Sequence, residues 1–310
     1  MRPASLFISS GDPLLDRRFE WADGLLGRGE PQAAADLLEE TLARAPAFIA
    51  GWFLLGHARE QAGNRGGAIE AYRRALALDP KDRLGIALRL TRLGEREAAG
   101  SMPRAYVRTL FDQYAARFDG ELQGALHYRG PLLLRRAIDK VLGAKTRFGR
   151  ALDLGCGTGL MGEAIRGRVD ELVGVDLSPA MLAAAERKRI YDRLVAGDLI
   201  AFLETEDRPF DLIVAADVFV YLEDLAPVLR LAARRLTASG ATAFTVETHA
   251  GGGAILRDTL RFAHSEAHLR QAATEASLEI AYLDKASTRI EKNCPVEGLL
   301  TVLRVPAAQS

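Results

Sequence analysis

Three glycines, Gly155, Gly157 and Gly159, stand at alternate positions in the stretch ALDLGCGTGL, directly after a short apolar run. Glycine adopts positive φ without strain and lets the backbone approach a ligand closely. A helix that begins after such a turn presents free N–H groups, which attract the polar parts of a ligand. The stretch therefore predicts a strand, a turn and a helix that together hold a nucleotide-type cofactor.

The spacing of these glycines argues against a dinucleotide. The pyrophosphate-binding fingerprint G-x-G-x-x-G requires a glycine at position 160, where this chain has Leu160. An NAD-dependent oxidoreductase fits the strand, the turn and the carboxylate that follows, but it fails at this position. It stays as the less favoured alternative.

Two carboxylates follow the next two predicted strands. Asp176 ends the run ELVGVD, 21 residues after Gly155, and Asp198 follows RLVAG. Because the carboxyl ends of parallel strands meet at one edge of a sheet, both side chains are expected in one crevice. A carboxylate accepts two hydrogen bonds, so Asp176 suits the two hydroxyls of a ribose and Asp198 suits the exocyclic amine of adenine.

The elements that must position these residues form an alternating pattern. From about Gly149 onward, short β-rich runs alternate with helical stretches, which is typical of a parallel sheet covered on both faces. The last two runs, LEIAYL and GLLTVLRV, have no helix-length spacer, so we expect them to pair antiparallel at the end of the sheet. Residues 103–148 have helical, amphipathic spacing.

The N-terminal region has a different pattern. In residues 49–82, small and apolar residues and a final proline recur at the spacing of the two antiparallel helices of a tetratricopeptide repeat. A weaker copy lies 34 residues earlier, and residues 83–93 supply part of a third, so the repeats are expected to stack over roughly the first hundred residues. An ordinary helical bundle is the plainer alternative. A stack of repeats offers a docking surface for a peptide, a protein partner or a second subunit.

The motifs LDLGCGTG, VGVDLSPAML, AGDL and FDLIVAADVFVYL occur in this order, and with them the sequence resembles class I S-adenosylmethionine-dependent methyltransferases, in the group that also carries tetratricopeptide repeats. The resemblance implies an all-α tetratricopeptide domain at residues 1–100 and a helical linker and cofactor lid at 101–148. It implies a methyltransferase domain at 149–310, of the α/β class, with a Rossmann-like seven-stranded sheet.

The resemblance also assigns contacts to the cofactor residue by residue. The residues around its methionine part are Asp153, Gly155, Cys156 and Gly157, and the residue that holds its ribose is Asp176. The residues around its adenine are Leu177, Met181, Asp198 and Leu199. The residues near the transferable methyl are Asp217 and Val218, those of the lid are Tyr114 and Phe118, and the one expected to reach the cofactor's carboxylate is Arg129.

Methyl transfer from a sulfonium needs alignment and exclusion of water rather than a protein nucleophile. A hydroxyl or ammonium acceptor also needs a general base, whereas a carboxylate or thiolate does not. The candidates near the acceptor are Tyr221, His249 and His264, and His264 is expected in a lid or substrate segment. Each has an ordinary alternative, which is helix packing for Tyr221, a surface loop for His249 and an orienting hydrogen bond for His264. With two cysteines and five scattered histidines, no metal-ligand spacing occurs, so we expect no metal.

The overall composition limits the partners. The 41 basic and 41 acidic side chains cancel, so no nucleic-acid partner is expected. A signal-like apolar segment and a membrane-length apolar run are both missing, which predicts a cytoplasmic location and no membrane contact. The expected function is methyl transfer from S-adenosylmethionine, leaving S-adenosylhomocysteine, to an oxygen or nitrogen of a small molecule or of a peptide, protein or carrier-bound substrate docked by the repeats. The alternatives are a non-catalytic scaffold that binds the cofactor and, for the repeats, self-association.

Overall fold

The computed structural model describes four stretches of the chain: residues 7–95, 102–120, 127–291 and 293–306. The chain divides into two compact units, Met1–Leu110 and Phe111–Ser310. Parts of the predicted linker and lid, residue 101 and residues 121–126, lie outside the described stretches. The domain boundaries predicted at residues 100 and 148 stay predictions.

The first unit contains helices that follow one another through short turns. They are α1 (Pro13–Gly27), α2 (Pro31–Arg44), α3 (Ile49–Gln61), α4 (Arg65–Leu78), α5 (Ile86–Arg92) and the start of α6 (Arg104–Tyr114). Asp12 caps α1 by accepting the Leu14 N–H, and Asn64 caps α4 in the same way. These local signals are why the helices begin where they do.

Helices α3 and α4 approach each other closely at one glycine. A Cβ added to Gly56 would lie 2.5 Å from the ring of Tyr72, which is fully buried. The Tyr72 hydroxyl donates to Glu60 at 2.9 Å, so the buried phenol keeps a partner. The close packing confirms the helix pair that the small residues predict.

The second unit is built on one sheet. Its strands are β1 (Phe148–Leu154), β2 (Val169–Asp176), β3 (Arg193–Ala196), β4 (Phe210–Ala215), β5 (Leu236–Thr248), β6 (Ala254–Leu256), β7 (Phe262–His264), β8 (Glu279–Ala286) and β11 (Gly298–Arg304). A separate two-stranded ribbon is formed by β9 (Ile290–Glu291) and β10 (Cys294–Pro295). The seven strands on the main path have the order β3-β2-β1-β4-β5-β11-β8, and the hairpin of β6 and β7 joins at β5.

Strands β1 to β5 pair in parallel, and β11 lies antiparallel between β5 and β8. This confirms the predicted antiparallel pair of β8 and β11 at the end of the sheet. The order reverses between β1 and β4, and ligands of such sheets bind at the carboxyl ends of the strands beside this reversal. The glycine turn after β1 lies at that point.

Helices cover both faces of the sheet. They are α8 (Gly130–Leu142), α9 (Leu160–Ile165), α10 (Pro179–Lys188), α11 (Leu199–Thr205), α12 (Ala226–Arg235) and α13 (Glu266–Glu275). Alternate residues of the strands point into two apolar clusters: Leu152 and Leu154 pack with α11, α12 and α13, while Ala151 packs with α8 and α9. The core thus fixes the sheet from both sides and leaves its edge to the site.

The second unit begins with a short helical segment before α8. This segment consists of the end of α6, a 3₁₀ turn (Ala115–Arg117) and α7 (Phe118–Gly120). Within the described stretches, no helix combines the length and the apolar character needed to cross a bilayer.

Candidate active site

The glycine turn has the backbone conformation that its sequence predicts. Gly155, Gly157 and Gly159 have φ of 63°, 54° and 95°, and α9 begins directly after them. A Cβ on Gly155 would lie 2.6 Å from the side chain of Val218. Side chains other than glycine would therefore be strained at these positions, and at Gly155 one would also collide with the segment after β4.

Asp176, at the end of β2, faces the turn. One of its carboxylate oxygens accepts the N–H of Gly157 and the other accepts the N–H of Ser178, each at 2.8 Å. Burial raises the pKa of Asp176, and the neighbouring Asp112 adds to the rise, while the two backbone N–H groups oppose it. Each oxygen keeps a second lone pair, so the carboxylate can accept from both hydroxyls of a ribose.

Asp153, next to the turn on β1, is buried and bonded to a residue that sequence reasoning did not select. Its carboxylate accepts the Tyr191 hydroxyl at 2.6 Å. Burial raises the pKa of Asp153 to about 7 against the effect of this hydrogen bond, and Asp176 raises it further. Tyr191 also packs beneath Gly159 and Gly162, so it fixes the turn from below.

The residues predicted around the adenine follow β2 and β3. Met181 is fully buried in α10, and Leu177 and Leu199 are partly buried. Asp198 is the N-cap of α11, where it accepts the N–H of Ala201 at 3.1 Å. The structure thus gives Asp198 a helix-capping role beside the predicted one.

An aromatic cluster, Phe111, Tyr114, Phe118 and Tyr221, lies beside the turn. The ring centroids of Phe111 and Phe118, Tyr114 and Phe118, and Phe111 and Tyr221 are 6.0, 5.7 and 5.7 Å apart. A Cβ on Gly157 would meet the Phe118 ring at 4.0 Å, so a side chain there would fill the space between the turn and the ring. The cluster places the two predicted lid residues together with Tyr221.

Polar contacts attach the same segment to the site. The Ser178 hydroxyl donates to Asp112 at 2.6 Å, and the Thr158 hydroxyl donates to Asp119. The Lys188 ammonium lies 3.2 Å from Asp119. Residues 111–120 are therefore bound to the turn and to α10 by charge as well as by apolar packing.

Asp217, after β4, belongs to an ionic network that the sequence analysis did not predict. Arg289 is 3% exposed, and its guanidinium contacts Asp217 at 3.0 Å, Glu291 at 2.7 Å and Glu247, which is also 3% exposed. Burial opposes the charge on Arg289, but the surrounding carboxylates raise its pKa. Asp217 also accepts the hydroxyl of Thr245 at 2.9 Å, and its φ of 57° is unusual for a residue other than glycine.

Arg257 and Arg261 extend this network, and we name the group Arg257, Arg261, Arg289, Asp217, Glu247 and Glu291 the arginine cluster. Arg261 lies 2.8 Å from Glu291, and Arg257 lies 3.5 Å from Glu247. Burial opposes the charge on Arg261, while Tyr221, Glu247, Glu291 and Asp217 together raise the pKa of its guanidinium.

Tyr128, rather than Arg129, points toward this part of the site. Burial raises the pKa of the Tyr128 hydroxyl, and the nearby Asp217 and Asp153 raise it further. Arg129 is exposed, and its backbone N–H donates to the carbonyl of Thr288 at 2.7 Å. Its predicted contact with a cofactor carboxylate stays a prediction.

The two histidines selected from the sequence occupy different surroundings. His249, just after β5, is paired within its own loop, since its Nε2 lies 3.1 Å from the carbonyl of Gly253 and its Nδ1 accepts from Gly251. His264 lies in strand β7 and not in a lid, is fully buried and stacks on His268 with centroids 5.3 Å apart. Burial lowers the pKa of His264 to about 4, and His268 lowers it further, so the ring is neutral near pH 7.

Neither cysteine forms a disulfide within the described stretches. Cys156 is a buried free thiol in the turn, where burial and the neighbouring Asp153 and Asp176 raise its pKa, and Cys294 is exposed. A raised thiol pKa disfavours the nucleophilic thiolate, so packing is the role that the structure supports for Cys156. Among the described residues, histidines, cysteines and carboxylates form no group that could hold a metal ion.

The site as a whole fits S-adenosylmethionine. Gly157 leaves open a space that a Cβ would fill, a diol-binding carboxylate lies beside it, and aromatic rings line the same edge of the sheet. Strand order, glycine turn and acidic residue together define a Rossmann-like domain of the class I methyltransferase type.

Comparison with known proteins leads to the same class. Residues 152–242 match a family of methyltransferase domains, and residues 49–82 match the tetratricopeptide repeat. A malonyl-[acyl-carrier protein] O-methyltransferase of Halorhodospira halophila is 33% identical over 47% of this chain and 49% of its own length. The chain therefore spans about half the length of that curated relative.

Two further proteins resemble separate parts of the chain. A TPR repeat-containing protein of Pseudomonas aeruginosa is 40% identical over 19% of this chain and 57% of its own length. A solved chain in the complex between the Haloferax volcanii Trm112 methyltransferase activator and a proposed methyltransferase shares the fold, with a TM-score of 0.50 and 21% identity over 63% of this chain and 97% of that one. The protein thus contains an S-adenosylmethionine-dependent methyltransferase domain together with tetratricopeptide repeats, as its motifs predict.

Proposed function

We propose that the protein transfers a methyl group from S-adenosylmethionine to an oxygen or nitrogen acceptor, on a small molecule or on a peptide, protein or carrier-bound substrate docked by the repeats. The observation that carries the proposal is the Asp176 carboxylate, held by two backbone N–H groups beside the glycine turn. The match of residues 152–242 to methyltransferase domains supports it.

In this proposal the residues of the site divide by the part of the cofactor they hold. The turn and Asp153 surround the methionine part, and Asp176 binds the ribose. The adenine is framed by the residues after β2 and β3, namely Leu177, Met181, Asp198 and Leu199. Asp217 and Val218 lie toward the methyl, and Tyr114 and Phe118 belong to a lid above the turn.

The cofactor supplies a methyl group that a sulfonium has already activated, so the protein's own residues align the acceptor and exclude water. The aromatic cluster serves to exclude water, because Phe118 lies beside Gly157 of the turn and Phe111 packs against Phe118. Tyr221 stands at the junction of the aromatic cluster and the arginine cluster, which suits a residue that orients the acceptor.

Neither histidine candidate is well placed to act as a general base without movement. His264 has no exposed surface, and both nitrogens of His249 lie against its own loop. A base must come within hydrogen-bond reach of the proton that it takes. The roles of His249 and His264 in proton transfer stay predictions that depend on the acceptor.

The repeats offer a groove for the docking role. It has a volume of about 280 Å³ and is lined by Glu39, Leu42, Ala43, Trp52, Leu55 and Arg59. If the acceptor docks here, Trp52→Ala should raise the KM for the acceptor and leave S-adenosylmethionine affinity unchanged. Trp21→Ala, which removes a ring that is 66% exposed elsewhere in the unit, is the matched control. An equal effect of both variants would contradict docking in this groove.

Binding and transfer are tested separately with the full chain. Calorimetry with S-adenosylmethionine, S-adenosylhomocysteine and NAD should detect the first two and not the third, and binding of NAD alone would overturn the proposal. Cell extract incubated with the protein and methyl-labelled S-adenosylmethionine should then yield a labelled product. Binding without any labelled product would favour the non-catalytic scaffold.

A further inference from the structure

In the arginine cluster, one arginine contacts carboxylates through all three of its guanidinium nitrogens, and the other two arginines do not. Arg289 uses Nε, Nη1 and Nη2 to contact Glu291, Asp217 and Glu247, so it serves to position these carboxylates. Arg257 and Arg261, by contrast, have side chains that are 31% and 29% exposed. These two face the part of the site that solvent or a substrate can reach.

Both of these arginines keep donors available. Among the described residues, the hydrogen bond and ion pairs of Arg261 run through Nη1 alone, to Glu291 at 2.8 Å and to Glu247 at 3.7 Å. Arg257 donates from Nη2 to the carbonyl of Thr248 and its buried Nε lies 3.5 Å from Glu247, so Nη1 is its nitrogen without a contact among the described residues. A guanidinium held at one nitrogen is fixed in place and can still present its other nitrogens to a second carboxylate.

The position of Arg261 links it to the methyl end of the site. Arg261 and Arg289 share the carboxylate of Glu291, and Arg289 contacts Asp217 at 3.0 Å. Asp217 directly precedes Val218, whose side chain occupies the space beside Gly155. Through these contacts Arg261 is linked to the segment that follows β4, beside the glycine turn. An anion that enters there can accept hydrogen bonds from the nitrogens of Arg261 and Arg257 that the carboxylates of the cluster do not contact.

We infer that the methyl acceptor is a carboxylate, bound by Arg261 with help from Arg257 and methylated on oxygen to give a methyl ester. This rests on the proposed methyl-transfer function and names its substrate class. A carboxylate oxygen forms a bond to the methyl carbon as the carbon–sulfur bond breaks, and the sulfur keeps that electron pair. No proton moves, so the reaction requires no general base, which agrees with the burial of His264 and with the contacts of both His249 nitrogens to its own loop.

The test uses the alkali lability of methyl esters. The full chain and methyl-labelled S-adenosylmethionine are incubated with small-molecule and protein fractions of a cell extract, and the products are treated with base. We expect label that is released as methanol, whereas methyl ethers and methylamines would keep it. Arg261→Gln should lower this base-labile label about ten- to a hundredfold, because it removes a charge-assisted pair to the acceptor.

Two further variants keep the test specific. Arg261→Lys, which keeps the charge but not the planar fork, should retain part of the activity. Arg270→Gln, which removes an exposed arginine paired with Glu266 on α13, should retain all of it. Calorimetry with S-adenosylmethionine and thermal unfolding are run on every variant, and Arg261→Gln should keep cofactor affinity and a cooperative transition.

The outcomes separate the two proposals. Failure of the wild-type protein to bind S-adenosylmethionine overturns the proposed function itself. Cofactor binding with only base-stable label, or with no label at all, overturns the carboxylate acceptor. Base-labile label that Arg261→Gln forms as fast as the wild type overturns the role of Arg261.

Discussion

Replacing Asp176 with asparagine gives the most direct test of the cofactor site. In the protein, each oxygen of the Asp176 carboxylate accepts one backbone N–H at 2.8 Å, which leaves one acceptor position on each oxygen for a ribose hydroxyl. In Asp176→Asn, one oxygen becomes an NH₂ group that faces the N–H of Gly157 or of Ser178. The variant therefore loses the charge and one acceptor, and it places two donors against each other.

The size of the effect follows from the bond that is lost. A hydrogen bond to a charged group contributes about 1.5–3 kcal/mol, which corresponds to roughly a 10- to 150-fold weaker Kd for S-adenosylmethionine. Calorimetric titration of the full chain measures this directly. Asp207→Asn is the matched control, because Asp207 is exposed just before β4, at the opposite edge of the sheet. Its Kd should equal that of the wild type.

Two results would refute this reasoning. If Asp176→Asn binds S-adenosylmethionine as tightly as the wild type, the carboxylate does not hold the ribose. If binding weakens equally for S-adenosylmethionine and for a methionine fragment without ribose, the substitution acts by distorting the turn instead. Thermal unfolding of both variants identifies the second case.

Three more perturbations have defined outcomes. Gly56→Ala places a Cβ 2.5 Å from the ring of Tyr72 and should lower the free energy of unfolding by about 1–3 kcal/mol, whereas Gly66→Ala meets open space; equal urea denaturation curves would contradict this. Because burial raises the pKa of Asp153 to about 7, its contribution to stability is present below pH 3.8 and is lost as pH rises through 7. Asp153→Asn should thus lose less stability than the wild type between pH 5 and pH 8. Parallel plots of unfolding free energy against pH for the two proteins would contradict the raised pKa of Asp153. Arg289→Met removes the cation that contacts Asp217 and leaves buried Glu247 only the more distant Arg257 and Arg261, so it should cost about 3–5 kcal/mol of unfolding free energy in urea; a loss below about 1 kcal/mol would show that the network matters little.

The parts of the site that could be predicted are those that a few consecutive residues determine. The glycine turn and the caps of helices arise from local backbone preferences, so the sequence alone located Gly155, Gly157 and Gly159 at positive φ. Asp176 could be placed beside the turn because strands that alternate with helices bring their carboxyl ends to one edge.

The parts that escaped prediction depend on contacts between distant residues. Tyr191 reaches Asp153 across 38 positions of sequence, and Arg289 reaches Asp217 across 72. A lone tyrosine or arginine carries no signal for such a partner. The same limit explains why the sequence suggested His264 for a lid, although it lies buried in β7.

The sequence by itself determined the class of this protein: repeats of paired helices, then a domain whose glycine turn and spaced carboxylates suit S-adenosylmethionine. Periodicity and turn chemistry suffice for that, because they act over a few residues. Only the tertiary structure decided which side chains meet near the glycine turn, since the aromatic cluster and the arginine cluster are assembled from segments far apart in the chain. The physical reason is that side-chain charge and burial, which select an acceptor, exist only once the sheet has brought these segments together.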